Sequence, residues 1–392
     1  MDFLLTIFFF LLILSFLVLV HEFGHFAAAK LMKVDVHEFA IGFGPILIQK
    51  EFKGTKYQLR AIPLGGFVQL EGEAESKSPN GFRNKSLLPK VFILSAGIMM
   101  NILTAIVLLF INFQIQEYTF VIPAFSEYEF NNVERQNELF PIRITGVKED
   151  GDSAEWLKRG DYIVGFNDEY IKSESEFLKK LGELAGKDVT VNLLNINDFS
   201  IESLEVKLGD KNEEGFVLDA AYDLPFESDF GNTKTSYFVK YKENLLSPIA
   251  HTYDLTIFQV KALGSIISDS IKENDYETLS NSVGGPVAVG GTVNDVVEEQ
   301  VYEAFFFLAA LISISLAMVN ILPFPALDGG QIAVAVAESL RGKKFKDSTL
   351  EKINLAGFSF LILLSILITI KDVVNLGIIG NIGDFIKSAL GK

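Results

Sequence analysis

The residues with the plainest chemical potential are His21-Glu22-Phe23-Gly24-His25. Side chains four apart on a helix share a face, so two imidazoles can take two corners of a zinc tetrahedron. The carboxylate beside the first then reaches a water at the open corner as general base. On a solvated helix the same pentapeptide arises by chance and does nothing. Here it closes a run of Leu, Ile, Phe and Val that starts at Phe3, and three ionisable groups in such a segment are costly unless paired or bound to metal. Two histidines leave zinc short of protein ligands. The chain has no cysteine and only four histidines, so the third ligand is His37 in a strand-rich stretch, His251 in an amphipathic one, or a carboxylate. The strongest candidate is Asp328 in Asn320-Ile321-Leu322-Pro323-Phe324-Pro325-Ala326-Leu327-Asp328-Gly329-Gly330, where two prolines and two glycines end regular helix and free backbone groups. A helix cap at the aqueous boundary is the plainer role for Asp328. Asn320 lies deeper; its amide suits holding an extended substrate or steadying the oxygen of a tetrahedral intermediate, and packing between helices is the plainer alternative.

These groups sit in or beside long apolar blocks. Four blocks, about 3–29, 91–112, 305–323 and 353–370, are long enough to cross a bilayer core of about 30 Å. The first has only Asp2 before it and no convincing cleavage site, which predicts a retained helix and not a removed signal. With 392 residues, a mean hydropathy of +0.31 and a net charge of −16, the composition is that of a membrane protein with a hydrophilic insert. The acidic balance, with no basic stripe, excludes a nucleic-acid binder, whose affinity comes from neutralised phosphates. Residues 30–90 carry ten Lys/Arg against six Asp/Glu, whereas 113–300 carry 16 against 35. By the positive-inside rule 30–90 is cytoplasmic, as is the basic loop 324–352. Four crossings then leave both termini and the acidic insert outside.

The expected organisation is a first membrane half over 1–112, containing the HExxH helix and a β-rich loop at 30–90, followed by an external insert over 113–247. An amphipathic helix and linker (248–300), a second membrane half with Asp328 (301–372) and a tail (373–392) complete it. In the 30–90 loop, β-favouring residues alternate with glycines from Val34 to Leu70, which predicts short strands with Gly/Pro bends on or partly in the membrane. Within the insert, about 128–212 reads as one compact domain with a helix over 174–184, while 115–135 reads as a link and 213–247 as extended. From Ile249 to Ile271 apolar residues recur every three or four positions, a helical stripe suited either to the membrane interface or to core packing.

Together these residues resemble the site-2 proteases, zinc intramembrane metalloproteases, and among them the bacterial sigma-regulatory type. His21-Glu22-Phe23-Gly24-His25 resembles that family's HExGH, and Asn320 to Gly329 its Asn-x-x-Pro-x-Pro-x-Leu-Asp-Gly. Gly42-Phe43-Gly44-Pro45 and Pro63-Leu64-Gly65-Gly66-Phe67-Val68 look like its membrane-associated β element. Gly97-Ile98-Met99-Met100-Asn101 is similar to its Gly-x-x-x-Asn, where a small residue lets helices approach, and Gly285-Pro286-Val287 to its Gly-Pro-Ile/Val. Ser153 to Asn167 resembles a PDZ domain, departing from the pattern at Trp156. The resemblance implies a polytopic α-helical membrane protein with four transmembrane helices, a membrane-associated β element and an inserted PDZ-like α+β domain.

It further implies one Zn²⁺ per chain on His21, His25 and Asp328, with Glu22 and Asn320 as catalytic residues. The expected activity is hydrolysis of single-pass transmembrane segments, such as anti-sigma factors or signal-peptide remnants already shortened by another protease, in the bacterial cytoplasmic membrane with the PDZ-like insert outside. Partners are therefore such substrates and the lipid bilayer, with no nucleic acid. Two competing readings are an inactive PDZ scaffold, which has no need for three ligands and a base, and a transporter, which would show a repeat that the hydropathy lacks.

Overall fold

The computed structural model describes residues 2–72, 80–124, 128–148, 151–167, 169–195, 201–209, 218–223, 235–273, 283–298 and 301–375. Of the tail expected over 373–392, only residues 373–375 lie within them. The chain divides into two compact units, 1–112 with 284–392, and 113–283.

The first unit is built on helices that are apolar around their whole circumference. Its spans are Leu4–Leu31 in α1 (Asp2–Leu31), α2 (Leu87–Ile115), α6 (Ala304–Ile321) and Asp347–Val374 in α8 (Asp347–Asn375). The last is much longer than the 18 residues expected. Between α6 and α8 lies a separate helix, α7 (Asp328–Arg341), closed by Gly342 in the left-handed region at φ 62°. A short helix not foreseen, α5 (Pro286–Glu298), precedes α6. Its start is capped by Asp372 of α8, whose Oδ2 accepts the N–H groups of Gly285 (2.8 Å) and Ala288 (3.2 Å).

The loop after α1 is not several short strands but one long antiparallel hairpin of β1 (Val36–Phe52) and β2 (Thr55–Leu70), bent by repeated register shifts. Lys53 and Gly54, both at positive φ (49° and 77°), make the two-residue turn whose twist suits a hairpin. The base of the hairpin packs Val36 and Leu70 with Ala28, Ala29, Phe82, Ile93 and Leu94. Farther out it leans along α1: Ser15 Oγ donates to the Pro63 carbonyl. Its arm exposes Phe43, Ile46, Leu47, Ile48 and Phe52. Next to Phe82 at that base, Arg83 pairs with Glu338 of α7 and Asp347 of α8, and Lys90 pairs with the same Glu338.

In the second unit a six-stranded antiparallel sheet has the order β10 (Ala220–Asp223), β5 (Ile142–Val147), β6 (Tyr162–Phe166), β8 (Asp188–Leu194), β9 (Ile201–Lys207), with β7 (Glu169–Tyr170) on β6. Helix α3 (Glu174–Leu184) covers it, burying Phe177 and Leu181 against Ile142, Ile144, Ile163 and Val191. A second sheet runs β3 (Thr119–Pro123), β11 (Ser236–Tyr241), β4 (Val133–Leu139). It draws strands from the stretches expected to be a link and an extended segment. Helix α4 (Ser247–Glu273) matches the amphipathic expectation. Its apolar stripe is not core: Ile249, Tyr253, Val260, Leu263, Ile267 and Ile271 are exposed, while Leu255, Phe258 and Ala262 on the other side are buried.

Candidate metal centre

The HExxH segment lies near the C-terminal end of α1, where the helix meets α2 closely. A Cβ on Gly24 would stand 2.5 Å from the Ala96 carbonyl oxygen, so the missing side chain is what allows the approach. His21 and His25 are both buried. The contribution from the far end of the chain comes through a sharp reversal after α6. Ala326 adopts φ 73°, Leu327 is extended, and Asp328 opens α7. A Cβ on Gly329 would run into the carbonyl oxygens of Ile321 and Leu322, and one on Gly330 into that of Phe324, so this pair of glycines lets the first turn of α7 fold back onto the end of α6. Asp328 is thus not the cap of that helix but its first residue, and its carboxylate turns to the histidines.

The Nε2 atoms of His21 and His25 lie 3.1 Å apart, and each faces Oδ2 of Asp328, at 3.1 Å and 3.3 Å. Metal–ligand bonds of about 2.0–2.1 Å in a tetrahedron give ligand–ligand edges of about 3.3 Å. The triangle of donors therefore has the size of one zinc tetrahedral face. It satisfies itself poorly with protons alone: Oδ2 of Asp328 is buried and has no aligned hydrogen bond among the described residues, despite the two imidazole nitrogens beside it. Two nitrogens and one carboxylate oxygen turned toward one point are what a divalent cation needs, and the three residues are a group able to hold one.

Around the triangle each part is held. His25 Nδ1 faces the Ile93 carbonyl at 2.9 Å, and His21 Nδ1 faces the Asn101 amide at 3.3 Å. Gly97, one turn before Asn101, leaves room for both rings, since a Cβ there would come within 2.5 Å of His25 Nε2 and 2.8 Å of His21 Cε1. Glu22 Oε2 accepts the Val68 N–H at 3.1 Å. That bond ties the base candidate to strand β2. Sequence spacing speaks for close helix packing at Gly97 and Asn101; that both meet the imidazoles follows only from the packing of α1 on α2.

The other candidates fall elsewhere. Asn320 is half-buried in the last turn of α6, and no hydrogen bond among the described residues joins it to the triangle. His37 pairs with Glu71 at the base of the hairpin. His251 is fully buried in the second unit, its Nδ1 2.6 Å from the Tyr241 hydroxyl and its ring edge-on to Phe113 and tilted against Phe120. Burial pushes the His251 imidazole down to about 3. Asp254, which accepts from Tyr128, Asn131 and Tyr241, is raised by the same cause.

Comparison with known proteins adds the family. The sequence profile of peptidase family M50 matches residues 9–364. A candidate zinc metalloprotease of Fusobacterium nucleatum is 30% identical over 364 residues, 93% of this chain and 97% of that protein. Another, of Nostoc, is 31% identical over 374 residues, covering 93% of this chain and 94% of the relative. The chloroplastic membrane metalloprotease ARASP of Arabidopsis thaliana is 29% identical over 96% of this chain and 79% of its own length. Among solved structures, the PDZ domain of an SdrC-like protein from Listeria innocua aligns with 21% of this chain and 92% of that domain, at 23% identity and a TM-score of 0.19.

Proposed function

This chain belongs to peptidase family M50, and from that premise we propose that it is a zinc-dependent intramembrane endopeptidase acting on single-pass transmembrane segments. The observation that carries the reading is the convergence of Asp328 Oδ2 with His21 Nε2 and His25 Nε2 of an apolar span, with Glu22 on the same helix as the histidines. The three residues would hold one zinc ion, which would supply Lewis-acid polarisation of the scissile carbonyl and acidify the attacking water.

The chain's own residues do the rest. Glu22 takes the proton of the attacking water and returns it to the leaving amine, and the Val68 N–H fixes its carboxylate for that exchange. A helical substrate hides its carbonyls in its own hydrogen bonds, so it must be presented extended. The bent hairpin passes beside Glu22 and offers strand edges for that pairing. Its arm of exposed Phe, Ile and Leu suits lipid contact, where a strand is tolerated only if protein or pairing covers its edge. Asn320 is assigned to hold the extended peptide or steady the oxygen of the tetrahedral intermediate.

The setting we propose is a bacterial cytoplasmic membrane, with four crossings and the 113–283 unit outside, by the charge of the short loops. Substrates are membrane proteins already trimmed outside by another protease, such as anti-sigma factors or signal-peptide remnants. The PDZ-like insert then either holds a peptide or excludes bulky outer domains.

The test is E22Q. It should fold and bind zinc as the wild type does, while a transmembrane reporter peptide stays uncut and truncated membrane proteins accumulate in its host. Full cleavage by E22Q would refute the mechanism.

A further inference from the structure

We propose that Asn101 is a positioning residue for His21, its amide deciding which ring nitrogen carries the proton and so whether Nε2 is free to bind metal. The proposal rests on the zinc reading above. Its basis is an asymmetry between the two histidines. His25 Nδ1 faces a backbone carbonyl, that of Ile93, at 2.9 Å. A carbonyl only accepts, so His25 must keep its proton on Nδ1, and Nε2 is left with its lone pair toward the centre.

His21 Nδ1 faces a side-chain amide instead, 3.3 Å from Asn101 Nδ2. An amide can play either part. With its nitrogen toward the ring it supports the tautomer protonated on Nε2. Turned half a revolution about its last torsion, it offers Oδ1 as acceptor for Nδ1–H and frees Nε2. Which end faces the ring follows the hydrogen-bonding demand.

Three observations give Asn101 the fixed seat this requires. The residue is completely buried. Its backbone carbonyl accepts from Ser313 Oγ of α6 at 2.8 Å, which anchors it from the opposite side. Its Oδ1 is buried without a hydrogen-bond partner among the described residues, an unsatisfied acceptor next to the one ring nitrogen that must donate once Nε2 is given to a metal. Outer partners of this kind orient ligating histidines and strengthen their binding by about 10- to 100-fold.

The experiment measures zinc affinity of the full chain in detergent, by competition with a chromophoric chelator, for wild type, Asn101→Ala, Asn101→Asp and Ser313→Ala, with melting of the zinc-free proteins alongside. N101A should bind zinc about 10- to 100-fold more weakly, while N101D, which keeps an acceptor, recovers most of that loss. S313A loosens the seat of Asn101 without removing the amide, and should weaken zinc binding far less than N101A does. Unaltered affinity in N101A, or an equal loss in S313A at equal melting temperature, would show that Asn101 only packs. N101D as weak as N101A while melting like the wild type overturns the proposal as well. A wild-type chain that takes up no zinc refutes the zinc reading itself, a different failure.

Discussion

Gly97→Ala is the smallest change that should disable the centre. The added Cβ would stand 2.5 Å from His25 Nε2, 2.7 Å from His25 Cε1 and 2.8 Å from His21 Cε1. Carbon in ordinary contact sits at about 3.5 Å or more, so one or both rings must retreat by about 0.7 to 1 Å. Coordination tolerates departures of about 0.2 Å, and a misplacement near 1 Å at a reacting centre costs about 100-fold in rate. The helix itself gains, since Ala is favoured over Gly in a helix interior by about 1 kcal/mol. G97A should therefore fold with wild-type helicity and lose zinc and activity together. The assay is the zinc-to-protein ratio and reporter cleavage on the same detergent preparation. Gly264→Ala in α4, where a Cβ meets nothing within 4 Å, is the matched control and should change neither. A G97A protein retaining zinc and cleavage at the level of G264A would refute the claim that the rings are seated against α2.

Replacing Glu338 by Ala leaves Arg83 and Lys90 without their shared buried carboxylate, a change expected to cost about 3 kcal/mol in stability, measurable as a lower melting temperature that Glu338→Gln restores only in part. The unit formed by 113–283 should lose stability in acid because of His251. Its imidazole is held near 3 when folded against about 6.5 unfolded, so between those values the unfolded chain binds the extra proton. Stability is fully present above about pH 6.5 and falls as pH drops toward 3. His251→Phe should flatten that slope, apart from the opposite contribution of Asp254, whose raised carboxyl favours the fold on the acid side. An unchanged slope in H251F would contradict the burial argument.

The centre was legible in the sequence to the extent that its ligands are carried by compact patterns. A helix makes His21 and His25 neighbours by spacing alone, and the Pro/Gly break marks Asp328 as something other than helix interior. The spans and α4 were legible because their periodicity or apolar length is intrinsic to the segment. The sheet of β3, β11 and β4 was not. Strand β4 reads Val-Glu-Arg-Gln-Asn-Glu-Leu, mostly polar and with no regular alternation of burial, and β11 is buried on both faces, so neither shows the alternation that marks a half-buried strand. Their pairing, about a hundred residues apart, is fixed by tertiary contact. The hairpin was underestimated for the opposite reason. Its glycines and prolines read as ends of strands, whereas the register shifts let two strands continue through them.

The last helix carries a consequence for biosynthesis. Only 6% of its apolar window is buried, against 44% for α2, and none of His21, Glu22, His25, Asn101 or Asp328 lies on it. Once Arg341 has left the ribosome, every group of the centre has been made, and α8 still has to be synthesised. What that helix adds is a cap on α5 through Asp372 and an ion pair with Arg83 through Asp347. A chain stalled before residue 347 would thus possess every residue of the centre but lack these two contacts, so the order of translation separates acquiring the centre's residues from bracing the segments around Gly285 and Arg83.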